Sequence, residues 1–101
     1  MSQKITLFCS AGMSTSLLVN KMKEAASAAG KEYEIAAYSM NEAPEKGKTA
    51  DVILLGPQVR FAKDKIHGMF PDTPIDVIDM RVYGLMDGKG ALAIAEKALN
   101  K

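Results

Sequence analysis

The most reactive side chain in this sequence is the thiol of Cys9, which is the only cysteine in the chain. It follows the apolar run Ile5-Thr6-Leu7-Phe8, which is typical of a strand, and it precedes a helical pattern. The first turn of a helix has unpaired N–H groups and a partial positive charge, which favour a thiolate and bind phosphate. We therefore expect Cys9 to act as a nucleophile that accepts a phosphoryl group.

The segment after Cys9 is rich in small and hydroxyl-bearing residues, namely Ser10, Ala11, Gly12, Met13, Ser14, Thr15 and Ser16. Gly12 allows the backbone N–H groups to turn inward and form a nest for an anion, so this loop is predicted to bind the phosphoryl group. The alternative is structural: Cys9 is then a small buried apolar residue, and the hydroxyls are ordinary helix caps.

Two further residues are candidates for the rim of this site. Gln58 follows a strand in the turn Gly56-Pro57-Gln58, and Tyr83 precedes Gly84 after the last predicted strand. The segment with Gln58 is equally typical of a simple turn, and the segment with Tyr83 is more typical of a turn than of a site. No His, Cys or carboxylate cluster has the spacing of metal ligands, so we expect no metal and no cofactor.

The elements that position these residues alternate along the chain. Strands are predicted at residues 5–8, 33–38, 51–55 and 75–78, and the continuous apolar run of the third favours a central place in the sheet. Helices are predicted from a cap at Ser14 or Thr15 to a stop at Gly30, from Pro57 to before Pro71, and over residues 88–101. Residues 41–48 suit a loop or a short helix, and 83–84 and 87–90 suit turns.

This alternation predicts an α/β fold: a single domain over residues 1–101, doubly wound, with a four-stranded parallel sheet and helices on both faces. Such sheets bind ligands at the carboxyl ends of their strands. Cys9, the turn at Gln58 and the segment after Ile78 should therefore converge on one site.

Composition narrows the possible partners. Thirteen Lys and Arg residues against 12 Asp and Glu give a formal charge of +1, which provides no bulk attraction to nucleic acid. No apolar run approaches the roughly 20 residues that span a bilayer, so direct membrane insertion is not expected. A single cysteine and the lack of a secretory signal pattern favour the cytoplasm.

A cysteine in a phosphate loop also occurs in low-molecular-weight tyrosine phosphatases, in which an Arg follows the Cys after five intervening residues. Thr15 occupies that position here. Without a guanidinium to bind phosphoryl oxygens bidentately, we expect weak hydrolysis of phosphomonoesters.

The blocks Leu7 to Leu18, Asp51 to Gln58 and Val77 to Gly84 resemble, in order, the IIB components of the lactose/cellobiose family of the phosphotransferase system. The resemblance implies a phosphocarrier that accepts phosphate from a phosphohistidine of a IIA component on the cysteine matching Cys9. It also implies transfer to a sugar bound by the membrane permease IIC, of the β-linked disaccharide type such as cellobiose, chitobiose or lactose. The protein would then work at the inner face of the membrane through IIC.

Three functions remain in competition at this point. The first is the sugar phosphotransferase with a phosphocysteine intermediate. The second is a small phosphatase or arsenate reductase, and the third is a noncatalytic module that binds anions.

Overall fold

The computed structural model describes residues 3–9 and 12–100, with only the backbone for residues 12–14. The strands are β1 (Gln3–Cys9), β2 (Tyr33–Ser39), β3 (Val52–Leu55) and β4 (Ile75–Val77). The α-helices are α1 (Gly12–Ala28), α2 (Ala43–Lys46), α3 (Lys63–Met69), α4 (Met80–Gly84) and α5 (Gly88–Leu99). Short 3₁₀ helices cover Met40–Glu42, Gly47–Thr49 and Pro57–Ala62.

The four strands form one parallel sheet in the order β2-β1-β3-β4. The four residues of β3 are fully buried, which confirms its predicted internal position. The chain passes from β1 outward to β2 and then returns to β3 on the other side of β1, so the winding direction reverses between β1 and β3. This reversal is the topological switch point at which open α/β sheets bind ligands.

Side chains alternate between the two faces of the sheet, and each face has its own apolar core. Ile5, Leu7 and Leu54 pack with residues of α1 and α5. Phe8 and Leu55 pack with residues of the 57–62 segment and α3. The predicted arrangement of a parallel sheet covered on both faces is confirmed.

The predicted end of the first helix is confirmed. The helix stops at Ala28, and Gly30 adopts the left-handed conformation, with φ of 70°. The backbone N–H of Lys31 donates to the carbonyl of Ala26 at 2.9 Å, which closes the helix end as in a Schellman motif.

Three local expectations were wrong. The first helix begins at Gly12, so Ser14 and Thr15 lie inside it and do not cap it. The helix expected from Pro57 is divided, because Val59 has a non-helical φ of −118° and separates the 3₁₀ segment from α3. A turn was expected at residues 83–84, where the structure has α4.

Helix α4 forms because Asp79 caps it. The Asp79 carboxylate accepts hydrogen bonds from the backbone N–H groups of Arg81, at 2.8 Å, and Val82, at 3.4 Å. These contacts satisfy N–H groups that a five-residue helix otherwise leaves unpaired. The cap thereby fixes the position of Tyr83 at the carboxyl end of the sheet, where Cys9 also lies.

Candidate functional site at the carboxyl end of the sheet

Cys9 is the last residue of β1 and lies at the switch point. It is paired in register with Ser39 at the end of β2, while the preceding residue, Phe8, pairs with Leu55 at the end of β3. Helix α1 begins three positions later, at Gly12. The thiol is therefore delivered by a central strand to the N-terminal end of a 17-residue helix that has no acidic residue in its first turn.

Thr15 contacts the cysteine directly. Its hydroxyl Oγ1 donates a hydrogen bond to Cys9 Sγ at 2.6 Å, and both residues are buried, with exposed fractions of 1% and 2%. Because the helix begins at Gly12, the Thr15 side chain lies one turn inside it and is directed back toward the end of β1. Its hydroxyl contacts the sulfur, whereas the sequence predicted that it would cap the helix or donate a hydrogen bond to phosphate.

Tyr83 completes a buried cluster with these two residues. Its hydroxyl lies 3.2 Å from Thr15 Oγ1, and only 7% of the residue is exposed. The contact joins residues 68 positions apart in the chain, from α1 and α4. We call Cys9, Thr15 and Tyr83 the thiol cluster.

The turn after β3 closes the cluster from another side. The backbone N–H of Gly56 donates to the carbonyl of Phe8 at 3.0 Å, which ties the two strand ends together. A Cβ atom at position 56 would lie 3.2 Å from the Cβ of Cys9 and 2.8 Å from Oε1 of Gln58. A side chain at position 56 would therefore make the end of Gln58 turn away and Cys9 shift by a few tenths of an ångström, and the side chain of Gln58 lies beside the backbone that supports the cysteine.

The other predicted loop residues are described less completely. Ser10 and Ala11 lie outside the described residues, as do the side chains of Gly12, Met13 and Ser14. Ser16 is exposed on α1. Sequence reasoning proposed Thr15 and Tyr83 separately and missed their link, because nothing in a linear pattern signals a contact between two such distant hydroxyls.

Side chains with shifted pKa lie at the opposite end of the sheet. Hydrogen bonds from Lys31 and Tyr33 lower the pKa of Glu96. Burial, together with the hydrogen bond to Glu96 and its charge, raises the pKa of Tyr33 to about 12. We call Lys31, Tyr33 and Glu96 the carboxylate cluster.

Among residues 3–9 and 12–100, no group of three or more His, Cys, Asp or Glu side chains is placed to hold a metal ion. Within the same residues, no helix is long and apolar enough to cross a membrane.

The sequence of this chain matches a known protein family. Residues 4–93 match the sequence profile described as "PTS system, Lactose/Cellobiose specific IIB subunit". The chain is 47% identical over 91 residues to the oligo-beta-mannoside-specific EIIB component of Bacillus subtilis, covering 88% of each chain. It is 47% identical over 103 residues to the cellobiose-specific EIIB component of Lactococcus lactis, covering 95% of each chain.

A solved structure agrees with these relatives. The solution structure of the cellobiose-specific phosphotransferase IIB component from Borrelia burgdorferi superposes with a TM-score of 0.81 at 36% identity, over 99% of this chain and 94% of that one. Proteins of this kind are phosphotransferases that work with IIA and IIC partners in sugar uptake. The family match over most of the chain, together with the parallel sheet that ends at Cys9, shows that this chain belongs to the lactose/cellobiose family of phosphotransferase-system IIB components.

Proposed function

We propose that this protein carries a phosphoryl group on Cys9 during sugar uptake. The observation that carries the proposal is the buried sulfur at the N-terminal end of α1, which accepts a hydrogen bond from Thr15. A donor at 2.6 Å together with a helix N-terminus stabilises a thiolate, which is the nucleophilic form of cysteine.

The reaction has two steps. In the first, the thiolate of Cys9 attacks the phosphorus of a phosphohistidine on a IIA protein, so that a P–S bond forms, the P–N bond breaks, and its electron pair returns to the imidazole nitrogen. In the second, a sugar hydroxyl attacks the same phosphorus, the P–S bond breaks, and the electron pair returns to sulfur. The protein's task is to align the groups and to stabilise the equatorial oxygens, for which the backbone amides of residues 10–16, which include the first turn of α1, are the proposed donors.

The phosphatase alternative is disfavoured by Thr15. This residue occupies the sequence position where low-molecular-weight phosphatases have an arginine, and its hydroxyl points to the sulfur. A group that binds sulfur supports the reactive thiolate but supplies no bidentate clamp for phosphoryl oxygens.

The partners proposed are a IIA phosphodonor and a IIC permease that presents the sugar. Among the described residues, the large apolar side chains that remain exposed are Leu17, Phe61, Met80 and Leu85. Leu17 lies in α1, Phe61 in the 57–62 segment, and Met80 and Leu85 in or directly after α4. Each of these helical segments is the first to follow a strand, so each begins at the carboxyl end of the sheet, where Cys9 lies. Exposed apolar side chains around a reactive group are typical of a docking surface, and in-line transfer requires IIA to cover this end.

The sugar proposed is a β-linked disaccharide, such as cellobiose, chitobiose or lactose. Two relatives at 47% identity are named for an oligo-beta-mannoside and for cellobiose, which supports a β-linked sugar, while a third at the same identity, from Lactococcus lactis, is named for galactose. Work at the inner face of the membrane, through IIC, follows from the same proposal.

The test is Cys9→Ser. A hydroxyl is a far weaker nucleophile than a thiolate, so the variant should fold normally and should not carry phosphate in transfer. Wild type and variant are mixed with a phosphorylated IIA protein of the lactose/cellobiose class and weighed by intact-protein mass spectrometry. A Cys9→Ser protein that gains phosphate and passes it on as fast as wild type would refute the assignment.

A further inference from the structure

The two hydrogen bonds of the thiol cluster share one donor-to-acceptor direction. A threonine hydroxyl has one proton, and Thr15 gives that proton to Cys9 Sγ. Its oxygen then has only lone pairs to offer to Tyr83, 3.2 Å away, so the Tyr83 hydroxyl must be the donor of that second bond. The protons therefore point one way, from Tyr83 to Thr15 to the sulfur.

This chain of donors ends on an atom whose charge changes during the reaction. The two hydroxyls are neutral, and all three residues are at least nine-tenths buried. Hydrogen bonds in such surroundings are stronger than in water, and a donor that is itself hydrogen-bonded is polarised further. A thiolate is a much better acceptor than the sulfur of a thiol or of a phosphocysteine, so the chain stabilises the free anionic state most.

We propose that Tyr83 is a positioning residue for phosphoryl transfer, which acts through Thr15 to stabilise the Cys9 thiolate as the leaving group. The inference rests on the proposed function of Cys9. When the sugar hydroxyl attacks and the P–S bond breaks, the electron pair stays on Sγ, and the hydrogen bond from Thr15 strengthens. The proton of the sugar hydroxyl passes to a base of the IIC partner that presents the sugar, and Tyr83 and Thr15 keep theirs.

The same stabilisation sets the phosphoryl equilibrium with IIA. A cluster that favours the free thiolate disfavours phosphocysteine and makes it a better phosphoryl donor. Removal of the Tyr83 hydroxyl should therefore raise the fraction of Cys9 that is phosphorylated at equilibrium and slow the donation step. A purely structural role for Tyr83 would instead lower the phosphorylated fraction in the variant, since a distorted site holds the phosphoryl group less well.

The experiment measures the equilibrium constant between phosphorylated IIA and this chain by intact-protein mass spectrometry. Tyr83→Phe should shift it about threefold toward phosphocysteine, and Thr15→Val about tenfold, because Thr15 contacts the sulfur directly. Thr15→Ser keeps the hydroxyl and should restore a value close to that of wild type. Tyr33→Phe, which removes a tyrosine hydroxyl at the other end of the sheet, is the matched control and should leave the constant unchanged.

A double variant tests whether Tyr83 acts through Thr15. In the Thr15→Val background, Tyr83→Phe should add nothing, because the connecting hydroxyl is gone. An unchanged equilibrium in folded Tyr83→Phe, or an equal further shift in the double variant, would overturn the inference and leave the phosphocysteine assignment intact. A wild-type protein that takes no phosphate on Cys9 would overturn both.

Discussion

The two ends of the sheet each contain a tyrosine hydroxyl in a three-residue hydrogen-bonded cluster, and the clusters differ in charge and burial. In the carboxylate cluster, Tyr33 donates to Glu96 at 2.7 Å, and the charge of Glu96 is balanced by Lys31, whose side chain is 46% exposed. In the thiol cluster, Tyr83 and Thr15 are neutral and buried. The charges at the amino end are thus paired with each other, whereas the cluster at the carboxyl end consists of two hydroxyls and the sulfur that is proposed to react.

This difference separates a contribution to stability from a contribution to reactivity. A partly exposed ion pair with one added hydrogen bond stabilises the folded state modestly, by about 1 kcal/mol or less. Buried donors directed at a nucleophile act on the energy of one reaction state relative to another. Variants at the amino end should therefore change the free energy of unfolding and leave phosphoryl transfer unchanged. Variants at the carboxyl end should mainly change phosphoryl transfer.

The largest effect is expected for Gly56→Ala. The added Cβ would lie 3.2 Å from the Cβ of Cys9 and 2.8 Å from Oε1 of Gln58. The Gln58 side chain can rotate away, but Cys9 sits at a strand end held by the Gly56–Phe8 hydrogen bond and has to move by a few tenths of an ångström. Because in-line transfer is sensitive to such displacement, we expect transfer from IIA to slow by roughly tenfold.

Gly68→Ala is the matched control for this variant. Gly68 lies in α3, and a Cβ there would meet no atom within 4 Å. The substitution should leave the transfer rate unchanged and raise stability by about 0.5–1 kcal/mol, since alanine favours a helix over glycine. Stopped-flow or quench measurements of transfer on the two variants decide the matter, and equal rates for both would show that the strand-end contact is unimportant.

The sequence was sufficient to predict the elements that long apolar runs determine. The continuous run of β3 was recognised because burial on two faces leaves an unbroken apolar pattern, and the first strand, with Cys9 at its end, was recognised from Ile5, Leu7 and Phe8. Their parallel pairing then placed Cys9 and Gln58 at one edge. The family resemblance added the phosphocarrier function, whose phosphocysteine step stays a prediction.

The features that escaped prediction depend on short segments and distant contacts. Helix α4 is five residues long and shows no periodicity; its sequence signal is Asp79, an N-cap residue directly before it. Thr15 was read as a possible cap because its type favours that position, whereas tertiary packing directs its hydroxyl to sulfur. The contact of Thr15 with Tyr83 depends on the packing of α1 against α4, which no local pattern contains.

A smaller effect, on stability alone, is expected for Glu96→Gln. The pKa of Glu96 is lowered in the folded protein, first by the hydrogen bond from Lys31 and then by that from Tyr33. A lowered folded pKa contributes stability above the ordinary carboxyl value, and this contribution is lost as the pH falls through the folded value. Glu96→Gln should therefore be less stable than wild type at neutral pH, by about 0.5–1 kcal/mol, and the difference should shrink in acid.

Urea unfolding of both proteins between neutral pH and about pH 3 measures this difference. The phosphoryl equilibrium with IIA, determined on the same samples at neutral pH, should not change. A shifted equilibrium in Glu96→Gln would mean that the two ends of the sheet are coupled and that the comparison between them fails.

The smallest effect is expected for Tyr33→Phe, which removes one hydrogen bond to Glu96 and should cost about 0.5–1 kcal/mol of stability or less.

The pKa of Tyr33 is raised to about 12, mainly by burial and further by Glu96. A raised folded pKa contributes stability below the ordinary value of 10.0, and this contribution is lost as the pH rises through the folded value. In a phenolate absorbance titration of the folded protein, Tyr33 should therefore remain protonated beyond the ordinary range. Tyr33→Phe should remove that late component, and Glu96→Gln should move it toward lower pH without abolishing the shift, since burial remains. If Tyr33→Phe instead removed a component that ionises in the ordinary range, Tyr33 would be neither buried nor bonded to Glu96 in solution, and the carboxylate cluster would lose its tyrosine.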